Sequence, residues 1–505
     1  MHHGSTRLLR CFASVCAASV TCVTLAGNPC DQAGAVLNAS KITEGVGGFT
    51  GNLDAFDRFG DSVAGIGDLN GDGIEDVAVG ASWDADGGIT RGAIWILFLK
   101  ADGTVGSFQK ISSTTGGFGA GLQNSDYFGS AVTPLGDLNG DGIRDIAVGA
   151  AGTNIGEGAV WVLFLNANGT VKSKKKLASQ MNGFTPQLDI SDSFGDGVAA
   201  IGDLDGDGVV DLAVGAPLDD DGQIGNPWAN RGATWILFLQ VEGTVKSFQK
   251  ISQWEGGFQG GLNDFDNFGK DVACVGDVNG DGVIDLAVGA WGDIDGGPES
   301  GAAWILFLNQ DGTTKGFQKI SATEGNFNGD IDISDFFGIG VNAAGDLDGD
   351  GVPDLAVGAF NDDDGANQAG AVWLLFLNAD GTVKSHKKLS KLTPGLGAII
   401  GVDDMFGTSV CSLGDLNGDG KPEFAIGANF DTIAGNGAGS LSIVSLDLCS
   451  AAVLGDVDGD GVVNASDLGL LLGSWGRCSA NCTADFDANG QVNAADLAVL
   501  LGNWS

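Results

Sequence analysis

The sequence predicts an all-β propeller, a ring of four-stranded antiparallel blades, followed by a small α-helical domain. Three observations predict it. A nine-residue acidic loop recurs six times at near-constant spacing, and each copy sits within the same order of apolar, strand-like runs. From Asp456 onward the period shortens and the apolar residues fall at helical spacing.

The loop first reads Asp68-Leu-Asn70-Gly-Asp72-Gly73-Ile-Glu-Asp76 and returns from Asp137, Asp203, Asp277, Asp346 and Asp415, a period of 66 to 74 residues. A period of this size marks stacked supersecondary units. Side-chain oxygens at positions 1, 3, 5 and 9 converge if the loop curls, and the glycine at position 6 permits the positive φ the curl requires. The candidate ligands are Asp68, Asn70, Asp72 and Asp76, then Asp137, Asn139, Asp141 and Asp145. The third and fourth loops offer Asp203, Asp205, Asp207 and Asp211, and Asp277, Asn279, Asp281 and Asp285. The last two offer Asp346, Asp348, Asp350 and Asp354, and Asp415, Asn417, Asp419 and Glu423. An all-oxygen cage of this kind suits a hard cation, Ca²⁺ above all.

Each unit supplies four strands. In the first, Phe59–Gly67 enters the loop and Asp76–Gly80 leaves it; Gly92–Leu99, an Asp102-Gly103 turn and Ser107–Ile111 follow. Asp-Gly between apolar runs signals a hairpin. Four antiparallel strands repeated six times give one propeller blade per unit. After the sixth loop only three strands remain, ending at Leu441–Leu446. Ser40-Lys41-Ile42-Thr43, ahead of the first loop, matches the fourth-strand Gln-Lys-Ile-Ser at Gln109 and Gln249. The N-terminal strand is therefore expected to complete the last blade and leave no open edge. Cys449 falls at the matching turn position with Cys30 across the gap, and a Cys30–Cys449 disulfide is expected to staple the ring. Cys274 and Cys411 lie on first strands two blades apart and are expected as buried thiols; Cys478 and Cys482 are close enough for a local bridge. Trp95, Trp161, Trp235, Trp304 and Trp373 recur on third strands, where large flat side chains fill the gaps between blades. The sixth unit, with Ser442 there and Glu423 in its loop, reads as the least regular blade.

The tail carries two further loops. Asp456, Asp458, Asp460, Asn464 and Asp467 stand at positions 1, 3, 5, 9 and 12 of one, and Asp485, Asp487, Asn489, Asn493 and Asp496 of the other. These are EF-hand-type positions, with Asp in place of the usual final Glu. Leu468, Leu471, Leu472 and Trp475, and Leu497, Leu500, Leu501 and Trp504, give each following helix one apolar stripe. Residues 451–505 are expected to be a small calcium-dependent domain.

The chain has 505 residues, 87 of them glycine, and a formal net charge of −41. Much of that charge is ligand: eight bound Ca²⁺ would leave about −25, still the wrong sign for nucleic acid or an anionic membrane. Residues 1–26 read as a signal peptide, with Arg7 and Arg10, an apolar run from Cys11 to Leu25, and small residues at 24 and 26. Val15 and Thr21 are poor residues before a lipidated cysteine, and no later stretch has the length of a membrane span. A secreted protein, extracellular or at the cell surface, is expected.

Phe-Gly, the acidic loop and then Gly-Ala occur in that order in every unit, and this resembles the FG-GAP repeat of integrin α-subunit propellers over residues 35–449. The resemblance implies calcium in the loop between a blade's first two strands, on the residues named above and the backbone carbonyl of Ile74 with its equivalents. Integrin propellers have seven blades, which leaves a cryptic seventh open here. The resemblance also makes the opposite face, with Trp83-Asp84-Ala-Asp86, Asp219-Asp220-Asp221, Trp291-Gly-Asp293-Ile-Asp295 and Phe360-Asn-Asp362-Asp363-Asp364, the candidate partner-binding surface. Solvated acidic loops, or loops binding further cations, are the other readings of that face. The duplicated loop-helix tail resembles a type I dockerin, whose family partner is a cohesin. Loop positions 10 and 11 are Ala465-Ser466 and Ala494-Ala495, where cohesin-reading dockerins often carry hydroxyl or bulky polar residues, so a generic docking or anchoring tail stays open.

Of three histidines, His2 and His3 precede the signal's apolar run and His386 reads as lying in a Lys-Ser-His-Lys-Lys turn. That excludes most histidine triads and zinc hydrolases. Tyr127, the single tyrosine, takes a position held elsewhere by Arg58, Ser193, Asn267, Phe336 or Met405, and the lysines read as lying in strand-edge turns such as Lys174-Lys175-Lys176. A non-enzymatic, calcium-binding interaction or adhesion protein is the expected function, with a protein partner on the propeller and another, cohesin-like or surface-borne, on the tail. The alternative is a polysaccharide-active protein, a lectin or a calcium-dependent lyase.

Overall fold

A computed structural model describes residues 34–220, 229–447, 457, 463–477, 484–486, 491–502 and 504. The signal segment lies outside them, as do Cys30, Cys449, Cys478 and Cys482 with the disulfides expected of them. The described residues form two compact units, one holding Ala35–Gly345 and Val352–Asp447 with all the strands of the ring, the other holding the residues beyond Asp447 together with Gly34 and Asp346–Gly351.

The ring is six four-stranded antiparallel sheets. Blade 1 comprises Phe59–Gly67, Asp76–Ala81, Ala93–Leu99 and Val105–Ile111. Blades 2 to 5 repeat this order, with first strands beginning at Phe128, Val198, Phe268 and Phe337. Blade 6 takes Phe406–Gly414, Glu423–Ala428 and Ser440–Leu446 from the end of the ring and Val36–Ile42 from its start. The closing strand pairs Lys41 with Ser442 and Ile42 with Leu441. A parallel bridge joins each blade to the next: Gly92–Phe128, Gly158–Phe194, Gly232–Phe268, Gly301–Phe337, Gly370–Phe406 and, across the closure, Gly439–Phe59. The bridges return to their start after six steps, so the ring holds no cryptic seventh blade.

The paired glycines of the repeat have a steric cause. The Phe-Gly glycine sits at φ between +91° and +98° in all six blades, where a side chain is strained. Its carbonyl faces the glycine of Gly-Ala in the preceding blade. A Cβ on Gly289 would lie 1.9 Å from the Gly338 carbonyl oxygen, and one on Gly427 would lie 2.0 Å from that of Gly60. The two backbones touch, and neither has room for a methyl group. Gly289→Ala should therefore push blades 4 and 5 apart and cost about 1–3 kcal/mol or more, read as a lowered denaturation midpoint in urea.

The third-strand tryptophans fill the clefts between blades, as expected. Trp95 shares one cluster with Phe49, Phe59 and, from blade 6, Leu441 and Ile443. Each also meets a phenylalanine from the loop before its blade, edge-on, at 5.0 to 5.3 Å: Phe49, Phe118, Phe184, Phe258 and Phe327. Gly-Phe dipeptides mark four of these wedges in the sequence and Asn326-Phe327 marks the fifth; they were not among the expected features.

Several expectations are corrected. The least regular blade is the third, whose first strand shortens to Val198–Ala200; blade 6 keeps full-length strands. In blade 3 the ladder is carried past Gly197 by single bonds, Gly195 N–H to the Gly215 carbonyl and Gly215 N–H to the Gly197 carbonyl. Lys174, Lys175 and Lys176 lie within the strand Val171–Leu177, and His386 lies within Val383–Leu389, each paired along the third strand of its blade. His386 packs on Phe327 and Trp373, and burial lowers its pKa. Cys411 is buried, with Gly65 N–H donating to its Sγ, whereas Cys274 is only half-buried.

In the tail, helices Ala465–Gly473 and Ala494–Gly502 and the paired strands Gly476–Arg477 and Gln491–Val492 surround Val463, Leu471, Ala484, Val492 and Leu500. The apolar stripes are narrower than expected. Leu468 and Leu497 pack against this core, but Leu472, Trp475, Leu501 and Trp504 are exposed. Each helix ends at a glycine before its tryptophan, so that ring is not carried round onto the inner face.

Candidate calcium loops and the opposite loop face

Strand alternation places all six acidic loops at one end of the ring. Within a loop the first aspartate organises the backbone: Gly71 and Asp72 N–H donate to Asp68 Oδ1, and Gly73 N–H to Oδ2. Asp72 Oδ1 accepts from Ile74 N–H. The glycine N–H to Oδ2 bond recurs at Asp137, Asp203, Asp277, Asp346 and Asp415, and the Gly71-type bond at Asp346 and Asp415. Three carboxylates come together in the third loop, Asp203, Asp205 and Asp211, and in the fifth, Asp346, Asp348 and Asp354. In the other four, position 3 is Asn70, Asn139, Asn279 or Asn417.

Position 9 has a role that spacing did not indicate. Asp145, Asp211, Asp285 and Asp354 are fully buried, and each uses one oxygen to accept from the end of the third strand, at Leu165, Leu239, Leu308 and Leu377. The other oxygen of Asp145, Asp211 and Asp285 takes a loop N–H, from Leu138, Leu204 and Val278. This residue ties the loop to the blade. Asp76 takes the N–H of Leu69 on Oδ2, but its Oδ1 is buried with no hydrogen-bond partner. Burial pushes the carboxyl of Asp76 up to about 7, Asp145 to about 6, Asp211 to about 7 and Asp285 to about 6. Buried carboxylates under that strain, one with an orphan oxygen, fit a site completed by a cation.

In the tail, Asp467 accepts from Val457 N–H on Oδ1 and Asn464 N–H on Oδ2; Asp496 accepts from Phe486 and Asn493 in the same way. Both carboxylates are fully buried. Asp485 is described, while Asp456, Asp458, Asp460, Asp487 and Asn489 lie outside the described residues.

The opposite end differs from the expectation of solvated acids or further cation sites. Asp84, Asp219, Asp293, Asp362 and Asp431 are buried and ion-paired with Lys110, Lys250, Lys319, Lys388 and Lys41. The lysines come from fourth strands, and in blade 6 the closing strand supplies Lys41 at the same position. A second buried aspartate precedes each first strand. Burial, with the neighbouring aspartate, raises Asp57 to about 7, Asp192 to about 8 and Asp266 to about 7. Blade 2 puts Thr153 where the others have the loop aspartate, facing Asp126 and Lys176. An ammonium already sits in five of these pockets, which leaves no place for a metal ion.

Around the lysine pockets this end carries exposed apolar residues among exposed acids such as Asp264, Asp332 and Asp403. Ile89, Ile294 and Ile433 from the loops between second and third strands, and Phe265, Ile333 and Val402 from the loops between blades, are each more than half exposed. A groove of about 330 Å³ on blade 5 is lined by Asp332, Ile333, Asp335, Asn361, Asp363, Asn367 and Gln368. Tyr127 belongs to a conformational series: with Arg58, Ser193, Asn267, Phe336 and Met405 it holds φ between +54° and +58° just before the Phe-Gly pair. The ring of Tyr127 stacks on Trp83, and Phe336 contacts Trp291 and Phe360. The sequence showed this position as variable in side chain and gave no sign of its fixed backbone.

Comparison with known proteins agrees with this architecture. The FG-GAP repeat matches residues 337–375 and 406–444, an FG-GAP-like repeat matches 137–214, and the dockerin type I domain matches 454–502. Integrin alpha-5 of Xenopus laevis is 32% identical over 244 residues, 48% of this chain and 21% of that protein. Integrin alpha-6 of Homo sapiens is 33% identical over 167 residues, 33% of this chain and 13% of that protein. Integrin alpha-PS5 of Drosophila melanogaster is 35% identical over 191 residues, 36% of this chain and 18% of that protein. The matched stretch spans about a fifth or less of each relative.

Proposed function

We propose that this chain, an FG-GAP β-propeller carrying a type I dockerin domain, is a secreted, calcium-stabilised interaction protein. Among the described residues no helix is long and apolar enough to cross a membrane. Both kinds of module bind calcium, and the acid clusters at 203–211 and 346–354 support the same use here. The ligands are the loop residues set out above, one ion per blade and two in the tail. Dockerins bind cohesins, and the exposed pairs Leu472–Trp475 and Leu501–Trp504 give the tail two apolar patches for a protein partner.

One observation carries the propeller's role. Exposed isoleucines, phenylalanines and valine stand on the loops opposite the calcium loops, and apolar side chains presented by rigid strands are what a protein partner would cover. The reading is non-enzymatic: the pocket lysines are committed to aspartates, and Tyr127 is stacked on Trp83. The blade 5 groove, lined by amides and carboxylates, favours a lectin as the second reading.

Pull-downs from the source organism's secreted proteins test the two surfaces. The double variant Ile333→Asp/Ile433→Asp should lose one set of captured proteins, and Leu472→Asp/Leu501→Asp a different set. If both variants capture what the unmodified chain captures, neither surface is a docking site.

A further inference from the structure

The cations at the end opposite the calcium loops are mostly spoken for, since Lys41, Lys110, Lys250, Lys319 and Lys388 all sit against aspartates. Arg58 is arranged differently. Its guanidinium carbon lies 3.6 Å from the centroid of Trp83 and 4.9 Å from that of Phe430, held between blades 6 and 1. Its Nε is buried with no hydrogen-bond acceptor, and among the described residues the side chain makes no ion pair. The nearest acid, Asp61, is engaged: it accepts from Ser82 Oγ and from Asn429 Nδ2. Burial works against the charge on Arg58 and lowers its pKa, and Asp61 only partly offsets this. The backbone from which the side chain springs is held in place, with φ at Arg58 of +58° and its N–H donating to the Gly437 carbonyl.

We infer that Arg58 is a preformed receptor for a carboxylate, supplied by an aspartate or glutamate side chain of the protein partner that covers this face. Rings beside the guanidinium restrict access to its faces and leave its edge for a planar, two-oxygen acceptor. The cost of holding the arginine in place is met before binding, which is how a contact becomes a hot spot. Phe56, two residues before Arg58, and Ile433, three after Phe430, are exposed, so the matching segment is an acidic residue set among apolar ones. This rests on the docking role proposed above and names the chemistry of its anchor.

The test pans a random-peptide library over the full chain in calcium buffer, then measures synthetic peptides against variants. Selected peptides should carry Asp or Glu beside apolar residues. Changing that acid to its amide, or Arg58→Gln in the protein, should each weaken binding about tenfold or more, and the two changes together should cost little more than one. Arg58→Lys should restore only part, since an ammonium lacks the planar fork. Arg58→Gln should melt close to the unmodified chain, which separates lost binding from lost folding. Peptides that bind the Arg58→Gln variant equally well, yet are lost with Ile333→Asp/Ile433→Asp, would overturn the arginine's role and leave the docking face standing. Peptides bound equally by both variants, or no enrichment at all, would overturn both.

Discussion

Removing calcium lowers the melting temperature of the ring by about 15–20 °C and abolishes the cooperative fold of the tail. The magnitude follows from mass action: an ion at a hundred times its dissociation constant adds about 2.7 kcal/mol per site, so six sites add about 16 kcal/mol. Unfolding entropy of about 2.1 cal/mol/K per residue gives a ring of this length about 0.9 kcal/mol/K, and the ratio sets the shift. Calorimetry with calcium and with EDTA checks it, and coincident transitions would remove the metal from the account. The increment should also shrink with acid. Burial holds Asp76 and Asp211 at about 7 and Asp145 and Asp285 at about 6 in the calcium-free fold. Their ordinary value is 3.8, so between that value and 7 the metal-free fold binds protons that the unfolded chain does not. Its stability therefore falls as pH rises through that window. Calcium needs the ionised form, so the gap between the two melting curves should close from pH 8 toward pH 5.

Lys41→Met destabilises the ring by about 3–5 kcal/mol, the cost of stranding a buried charge by removing its partner. Lys41 reaches both Asp404 and Asp431, and Asp431 is fully buried. The loss falls on the one blade whose strands come from both ends of the ring. Adding Asp431→Asn to Lys41→Met should recover part of the stability, because one of the two stranded carboxylates is gone and Asp404 remains; urea titration of the single and double variants reads it. If Lys41→Met alone melts like the unmodified chain, the ion pair adds nothing to the closure.

The legible and illegible parts of this molecule divide along the range of the interaction. Blade count, strand order and the closing strand all follow from a pattern that repeats within about 70 residues, and Ser40-Lys41-Ile42-Thr43 could be matched to a fourth strand by eye. The Asp–Lys pockets could not be seen within any one loop, since Asp84 and Lys110, or Asp404 and Lys41, meet only after folding. The signal was present as columns: the lysine of Gln-Lys-Ile-Ser and the aspartate after Gly-Ala recur together. The tie from position 9 to the third strand was hidden because Asp145 satisfies two descriptions, cation ligand and acceptor for Leu165, with the same atoms. The helices stop at Gly473 and Gly502, so the 3.6-residue period does not reach Trp475 and Trp504, while Leu472 and Leu501 lie within the helices and face outward.

The strand Ser440–Leu446, from which the tail emerges, has a neighbour along each edge, Glu423–Ala428 and Val36–Ile42. A pull on the chain beyond Leu446 would thus be received by an inner strand and resisted by two ladders. Had the tail sprouted from a free outer strand, the same tug would peel the blade one bond at a time. The amino-terminal segment acts as the clasp of the ring.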